Sequence, residues 1–215
     1  MKPYRFLLLF IAILFTLNGN AQQGWVLKLN KDGIKVYTKT CAGTSVKAIK
    51  AECELTASLT AMTAVLLNVD NSKEWIYATK KVSLLERPSA TEVIYYSEVG
   101  LPWPVSNRDF IICLSVTQDP ITKIVRAVSS NKAGYLPRCR DIVRVEQAAS
   151  QWLITPLANG RLHVEYELQV DPGGTVPAWL VNMFATTGPF STFQKLRGQV
   201  EKPEYKEAQL AFISQ

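Results

Sequence analysis

The chain has 215 residues, 47% hydrophobic and 20% charged, which excludes a disordered polymer and leaves enough length for one sizeable core. Its formal charge of +6 is dispersed without a Lys/Arg block, which argues against nucleic acid and allows weak attraction to an anionic membrane surface.

Lys2 and Arg5 precede an apolar run from Phe6 to Leu17, and Gly19 and Ala21 then occupy the minus-three and minus-one positions of a cut before Gln22. Roughly 12 apolar residues fall short of the ~20 that span a bilayer. A cleaved secretory signal over residues 1–21 is therefore expected, with 22–215 exported to the periplasm or the medium. That remainder reads as one domain with a core at about 25–200 and a short C-terminal tail. Cys41, Cys53, Cys113 and Cys139 remain after the cut, in a compartment that permits disulfides. None has C-x-x-C spacing and the pairing stays open, with buried thiols as the alternative for Cys53 and Cys113.

Between residues 33 and 55 two β-rich segments flank 42–45, which predicts a hairpin. The period changes at 58–68 to that of a short helix, and 71–75 reads as a turn. Strands are then expected at 82–87, 92–99, 109–117, 123–129, 141–147, 151–157 and 162–170. Their short polar or Pro/Gly connections predict antiparallel neighbours. In the last of them Leu162, Val164, Tyr166, Leu168 and Val170 alternate with polar residues, so one face is apolar.

Pro172, Gly173 and Gly174 end that strand, Thr175 can cap the next turn, and Pro177 suits a first helical turn. Trp179, Leu180, Met183, Phe184, Phe190, Phe193, Leu196 and Val200 then recur at helical spacing and give one broad apolar face. Gly188 and Pro189 predict a break into two segments, the second free to pivot. The class is α+β: a long antiparallel sheet, a short helix near its start and a major helix at its end, whose apolar face covers the sheet.

Little in the chain suggests catalysis. His163 is the only histidine, and alternation places it on the polar face of its strand, away from any interior dyad. No His, Cys and carboxylate set has metal-ligand spacing, and Gly173 and Gly174 do not form a phosphate loop. No catalytic residue, metal or cofactor is expected. In the stretch 101–110, LPWPVSNRDF, two prolines stiffen the approach to a strand. The favoured reading of Arg108 is a charge pair with Asp109 that fixes the turn, with a ligand contact as the alternative.

The run PWPVSNRDF at 102–110, the strands IVRVEQ at 142–147 and WLITPL at 152–157, and DPGG at 171–174 followed by PAWLVN at 177–182 resemble the START domain, the steroidogenic-acute-regulatory-related lipid-transfer module. The resemblance spans residues 25–200. It implies a helix-grip fold, a curved antiparallel sheet around a long C-terminal helix enclosing an apolar tunnel for one lipid such as a phospholipid or sterol, with transient membrane contact. It also implies a gate formed by residues 177–200 and the loop at 117–122, with Pro120 and Gly188-Pro189 as hinges. Cholesterol-binding relatives carry a buried acid and an arginine where this chain has Tyr95 and Leu114, which weakens a sterol reading. Arg144 resembles a head-group position of phosphatidylcholine-binding members, against an outward charge as the alternative. The implied lipid-contact set comprises Tyr95, Arg108, Ile112, Leu114 and Arg144 with Val164, Tyr166 and Leu168. From the helix it adds Trp179, Leu180, Met183 and Phe184.

Two other classes compete. A helix-grip cyclase or aromatase would draw on Tyr95, Tyr166, Arg126 and Arg144 as acid/base groups. A partner-binding domain would have its cavity filled by side chains. For the leader, the expected outcome is an exported protein whose intact mass begins at Gln22; recovery of residues 1–21 in a membrane fraction would overturn it.

Overall fold

The computed structural model describes residues 24–40 and 47–215. The expected signal, Cys41 and the tip of the first expected hairpin lie outside the described residues. Three strands open the fold: β1 (Val26–Lys31), β2 (Ile34–Thr40) and β3 (Lys47–Thr56). Two short helices follow, α1 (Leu59–Leu67) and α2 (Ser72–Trp75). Seven more strands come next: β4 (Thr79–Ser89), β5 (Glu92–Val99), β6 (Arg108–Gln118), β7 (Val125–Asn131), β8 (Val143–Arg144), β9 (Gln147–Pro156) and β10 (Arg161–Asp171). The chain closes with α3 (Ala178–Gln199) and α4 (Pro203–Lys206).

One sheet has the order β1-β2-β3-β10-β9-β7-β6-β5-β4, with β8 added beside β6. Except for β8, every pairing is antiparallel. The architecture is therefore the expected α+β helix-grip, with α3 laid along the inner face. The alternation expected in the last strand holds: Leu162 and Val164 are buried while Arg161 and Glu167 are exposed. Ser58 caps α1, its side chain accepting from the Ala61 N–H at 3.0 Å, as Ser does at a helix start.

Several expectations need correction. β1 was not anticipated, although Asp32 and Gly33, at φ 52° and 70°, form the two-residue turn that an Asp-Gly pair signals. The strand expected over 141–147 shrinks to Val143–Arg144 and runs parallel to Arg108–Asp109. The reason is geometric. β7 ends with Asn131 opposite Ile112, so the start of β6 has an unpaired edge, which Val143 and Val145 fill by donating to the carbonyls of Asn107 and Asp109 at 3.0 Å each.

The major helix is not broken at Gly188-Pro189. α3 runs unbroken through Pro189 for 22 residues, because tertiary packing holds both halves where the missing N–H removes only one rung of the ladder. Gly188 serves close approach instead, since a Cβ there would sit 3.3 Å from Tyr77 Cδ1. Nor does Thr175 cap the helix: Pro177 is the N-cap and no side-chain cap bond forms.

The tail is part of the structure. Tyr205 and Ile213 are buried, the Asn68 and Asn71 amides donate to the Tyr205 hydroxyl at 3.0 and 3.1 Å, and Gln215 Oε1 accepts from the Leu59 N–H at 3.2 Å. Cys53, Cys113 and Cys139 are free thiols. Burial pushes the Cys53 and Cys113 thiols up in pKa, so they stay protonated and behave as small core groups.

Arg144 is neither a ligand contact nor an outward charge. It is 3% exposed and pairs with buried Asp109 through Nε to Oδ1 at 2.8 Å and Nη2 to Oδ2 at 3.0 Å. Its remaining N–H groups donate to the carbonyls of Ala133, Leu136 and Pro137, which pins the 133–137 loop and uses all five donors of the guanidinium. Asp109 raises the arginine's pKa through this bond, against the opposing effect of burial. Removing one member of a buried pair strands the other charge. Arg144→Leu should therefore lose about 3–5 kcal/mol of stability in denaturant melts.

Candidate functional site

Between α3 and the inner face of the sheet lies a cavity of about 450 Å³ with largely apolar walls. Its origin can be read from side-chain size. At the centre of the sheet the inward positions of β7 and β9 that line the cavity carry Ser129, Ala148 and Ser150, too small to reach the helix, and Ser129 and Ser150 are direct cross-strand partners. Two positions after Ser150 the row changes to Trp152. Its ring stacks on Phe193 at 5.6 Å, meets Trp75 edge-on at 5.9 Å and lies 4.4 Å from Tyr166. Beyond this aromatic cluster Ile154, Val164, Cys53 and Leu196 close the core. The space is thus empty on one side of Trp152 and filled on the other.

The inner end is polar but uncharged. Tyr95 and Tyr166 are enclosed by protein yet keep accessible surface, which opens onto the cavity. Desolvation raises both pKa values, that of Tyr166 to about 12, and the Ser150 hydroxyl is within hydrogen-bond reach of Tyr166. Both phenols stay protonated near neutral pH.

The other end reaches the surface beside Asp171 and Gly174, which are exposed. Arg108 stands there, 4% exposed, without the expected pairing to Asp109. Its Nε, Nη1 and Nη2 donate to the carbonyls of Pro172, Ser106 and Gly173 at 3.1, 2.5 and 2.9 Å. It ties the 101–107 loop to the turn before α3, where Gly173 and Gly174 adopt φ of 64° and 60°, a conformation that favours glycine. Asn107 braces the same loop, accepting from the Leu101 N–H at 3.0 Å and donating to Glu98 at 2.6 Å.

Of the residues expected at the lipid site, Tyr95, Arg108, Ile112, Leu114, Tyr166, Leu168, Leu180 and Phe184 line the cavity. The other four do not. Arg144 is locked in its ion pair, and Val164 packs in the filled core. Met183 is half-buried away from the cavity, and Trp179 is 58% exposed. The inward stripe of α3 is Leu180, Phe184, Ala185, Gly188 and Thr192. Its small members were missed because only large apolar residues had been counted. The 117–122 loop, expected as part of a gate, does not line the cavity. It joins the far ends of β6 and β7, where Gln118 exchanges bonds with Ser214, donating at 2.7 Å and accepting at 2.8 Å.

His163 lies on the outer face, its Nε2 3.5 Å from Glu165 Oε1. Cross-strand pairing brings Glu52 beside them, with ligand atoms of all three within 4.8 Å of one another, a grouping that sequence spacing did not reveal. Lys50 Nζ stands 3.9 Å from both carboxylates and supplies the counter-charge itself. Arg126, weighed as an acid/base group, is exposed on the outer face, so among those candidates Tyr95 and Tyr166 alone face the cavity.

Comparison with known proteins places these features in context. The START domain family matches residues 10–205. An uncharacterized protein of Pseudomonas aeruginosa is 30% identical over 192 residues, covering 89% of this chain and 94% of that protein. The phosphatidylcholine transfer protein of Mus musculus is 27% identical over 170 residues, 76% of this chain and 78% of its own. The crystal structure of a STAR-related lipid transfer protein from Xanthomonas axonopodis superposes with a TM-score of 0.76 at 29% identity, covering 83% of this chain and 99% of that one.

The two phenylalanines of α3 offer a test of where core ends and cavity begins. Phe193→Ala should cost about 3–5 kcal/mol in thermal melts of both delipidated and lipid-loaded protein. Phe184→Ala should cost less when delipidated, because part of its ring already faces open space, and should weaken the bound lipid. Equal losses with unchanged lipid affinity would overturn the cavity boundary.

Proposed function

Because the chain belongs to the START domain family, we propose that it is an exported, non-catalytic lipid carrier that holds one lipid in the cavity beneath α3 and exchanges it at membranes. The observation that carries this reading is the cavity itself: about 450 Å³ of mostly apolar space open to the surface at one end, a size suited to a small ligand. Its existence weighs against a partner-binding domain with a filled interior. The lining holds tyrosine and other hydroxyls, one carboxylate, Asp171, at the exposed rim, and one arginine committed to main-chain carbonyls, which supports holding a lipid over converting it. The named relatives that transfer lipids support the same reading.

Membrane exchange has its own support at the rim. Trp103, 93% exposed, stands on the loop that Arg108 ties to the α3 turn, and Trp179, 58% exposed, sits in the first turn of α3. Two solvent-exposed indoles flanking one opening suit the headgroup layer of a bilayer, where an amphipathic ring prefers to sit. In a vesicle-to-vesicle transfer assay the protein should move lipid without altering it, as judged by mass spectrometry of the extract. Trp103→Ala with Trp179→Ala should slow transfer about tenfold while leaving the melting temperature in place. Absence of transfer and of any bound lipid, or recovery of a chemically altered lipid, would overturn the proposal.

A further inference from the structure

Resting on the carrier reading, we propose that the cavity selects an uncharged lipid, held at its inner end by the hydroxyls of Tyr95, Tyr166 and Ser150 through a hydroxyl or ester carbonyl of the ligand. The argument is one of charge. The cavity-lining residues include one cation, Arg108, and one carboxylate, Asp171. Both stand at the rim. Arg108 already serves three carbonyls, and Asp171 Oδ1 accepts from the Gly173 N–H at 3.0 Å. Arg144, the other buried arginine near this end of β6, is consumed by Asp109. A phosphate or carboxylate carried to the inner end would be a buried anion without a counter-ion, which proteins avoid.

The inner end is instead equipped for neutral hydrogen bonding. Tyr166 lies against Trp152 at 4.4 Å, Ser150 stands two positions before Trp152 on the neighbouring strand β9, and Tyr95 lines the same cavity from β5. Hydroxyls both donate and accept, so the group satisfies an alcohol or a carbonyl and leaves nothing ionised in the low-dielectric interior.

The test compares monoolein with oleoyl-lysophosphatidylcholine, which share a chain and differ in the charged head, each titrated below its critical micelle concentration. Trp75 and Trp152 line the cavity and report binding by intrinsic fluorescence. Monoolein should bind at least tenfold tighter. Tyr166→Phe and Ser150→Ala, each removing one oxygen, should each weaken monoolein about fivefold to tenfold and leave lysophosphatidylcholine unchanged. Tyr95→Phe is a third variant should either of these fail to fold. Equal or tighter binding of lysophosphatidylcholine, or variants without effect on monoolein, would overturn this inference and leave the carrier reading standing. Binding of neither lipid would overturn both.

Discussion

The aromatic group around Trp152 is what the rest of the molecule depends on. A single helix lying along a curved sheet has to bury an apolar stripe over its whole length, and normal packing would fill that space to crystal-like density. Here filling stops at one place. Trp152, stacked on Phe193 and braced by Trp75 and Tyr166, forms a wall one ring thick between a dense half and an empty half. The small side chains of Ser129, Ala148 and Ser150 maintain the void, and the wall keeps it from spreading into the core. Void is costly in itself, because its lining lacks contacts on one side. Its persistence points to a ligand that restores those contacts.

The start of β6 solves a second problem, the backbone irregularity at the open end. Arg108 and Asp109 are consecutive and therefore point to opposite faces of the strand. On the inner face Arg108 gathers carbonyls from the 101–107 loop and the turn before α3. On the outer face Asp109 holds Arg144, which gathers carbonyls from the 133–137 loop. Two adjacent residues thus anchor two segments at the cavity rim and a third on the outer face, each through an arginine whose planar fork can serve several acceptors at once. One guanidinium has a carboxylate partner and resists losing its proton; the other has carbonyl partners, and desolvation lowers its pKa.

Much of this was legible in the sequence, for physical reasons that also explain the rest. The period-two pattern of β10 and the Ser58 cap of α1 are local properties, so reading along the chain finds them. The 142–147 segment has the same alternation as a strand, yet how much of it pairs depends on how much of β6 remains uncovered, a fact set by where β7 ends. Pro189 is a strong local signal, and packing on both sides outweighs it. Trp179 and Met183 belong to the apolar composition of α3 but not to its inward stripe, which small residues share. Arg144 was undecided between inward and outward because alternation cannot register a partner 35 positions away. The cavity itself was hardest to see: its signal is the smallness of residues at 129, 148 and 150, which meet only once β7 and β9 pair.

The same division governs which part of α3 can move at least cost. Its C-terminal half carries Phe193, Leu196 and the adjoining Val200, all buried against β2 and β3, so displacing it would expose the densest part of the core. Its N-terminal half faces the cavity with Leu180, Phe184 and Ala185, begins without a side-chain cap, and follows two glycines in left-handed conformation. Regions with few buried contacts open at a smaller free-energy cost than the core they adjoin. The segment with least to lose on displacement is therefore 172–185, which the bonds from Arg108 to the Pro172 and Gly173 carbonyls hold in place. Pro189 lies at the boundary between the two halves, inside the continuous helix, and a pivot there would have to pull Tyr77 away from Gly188 as well as break the helix.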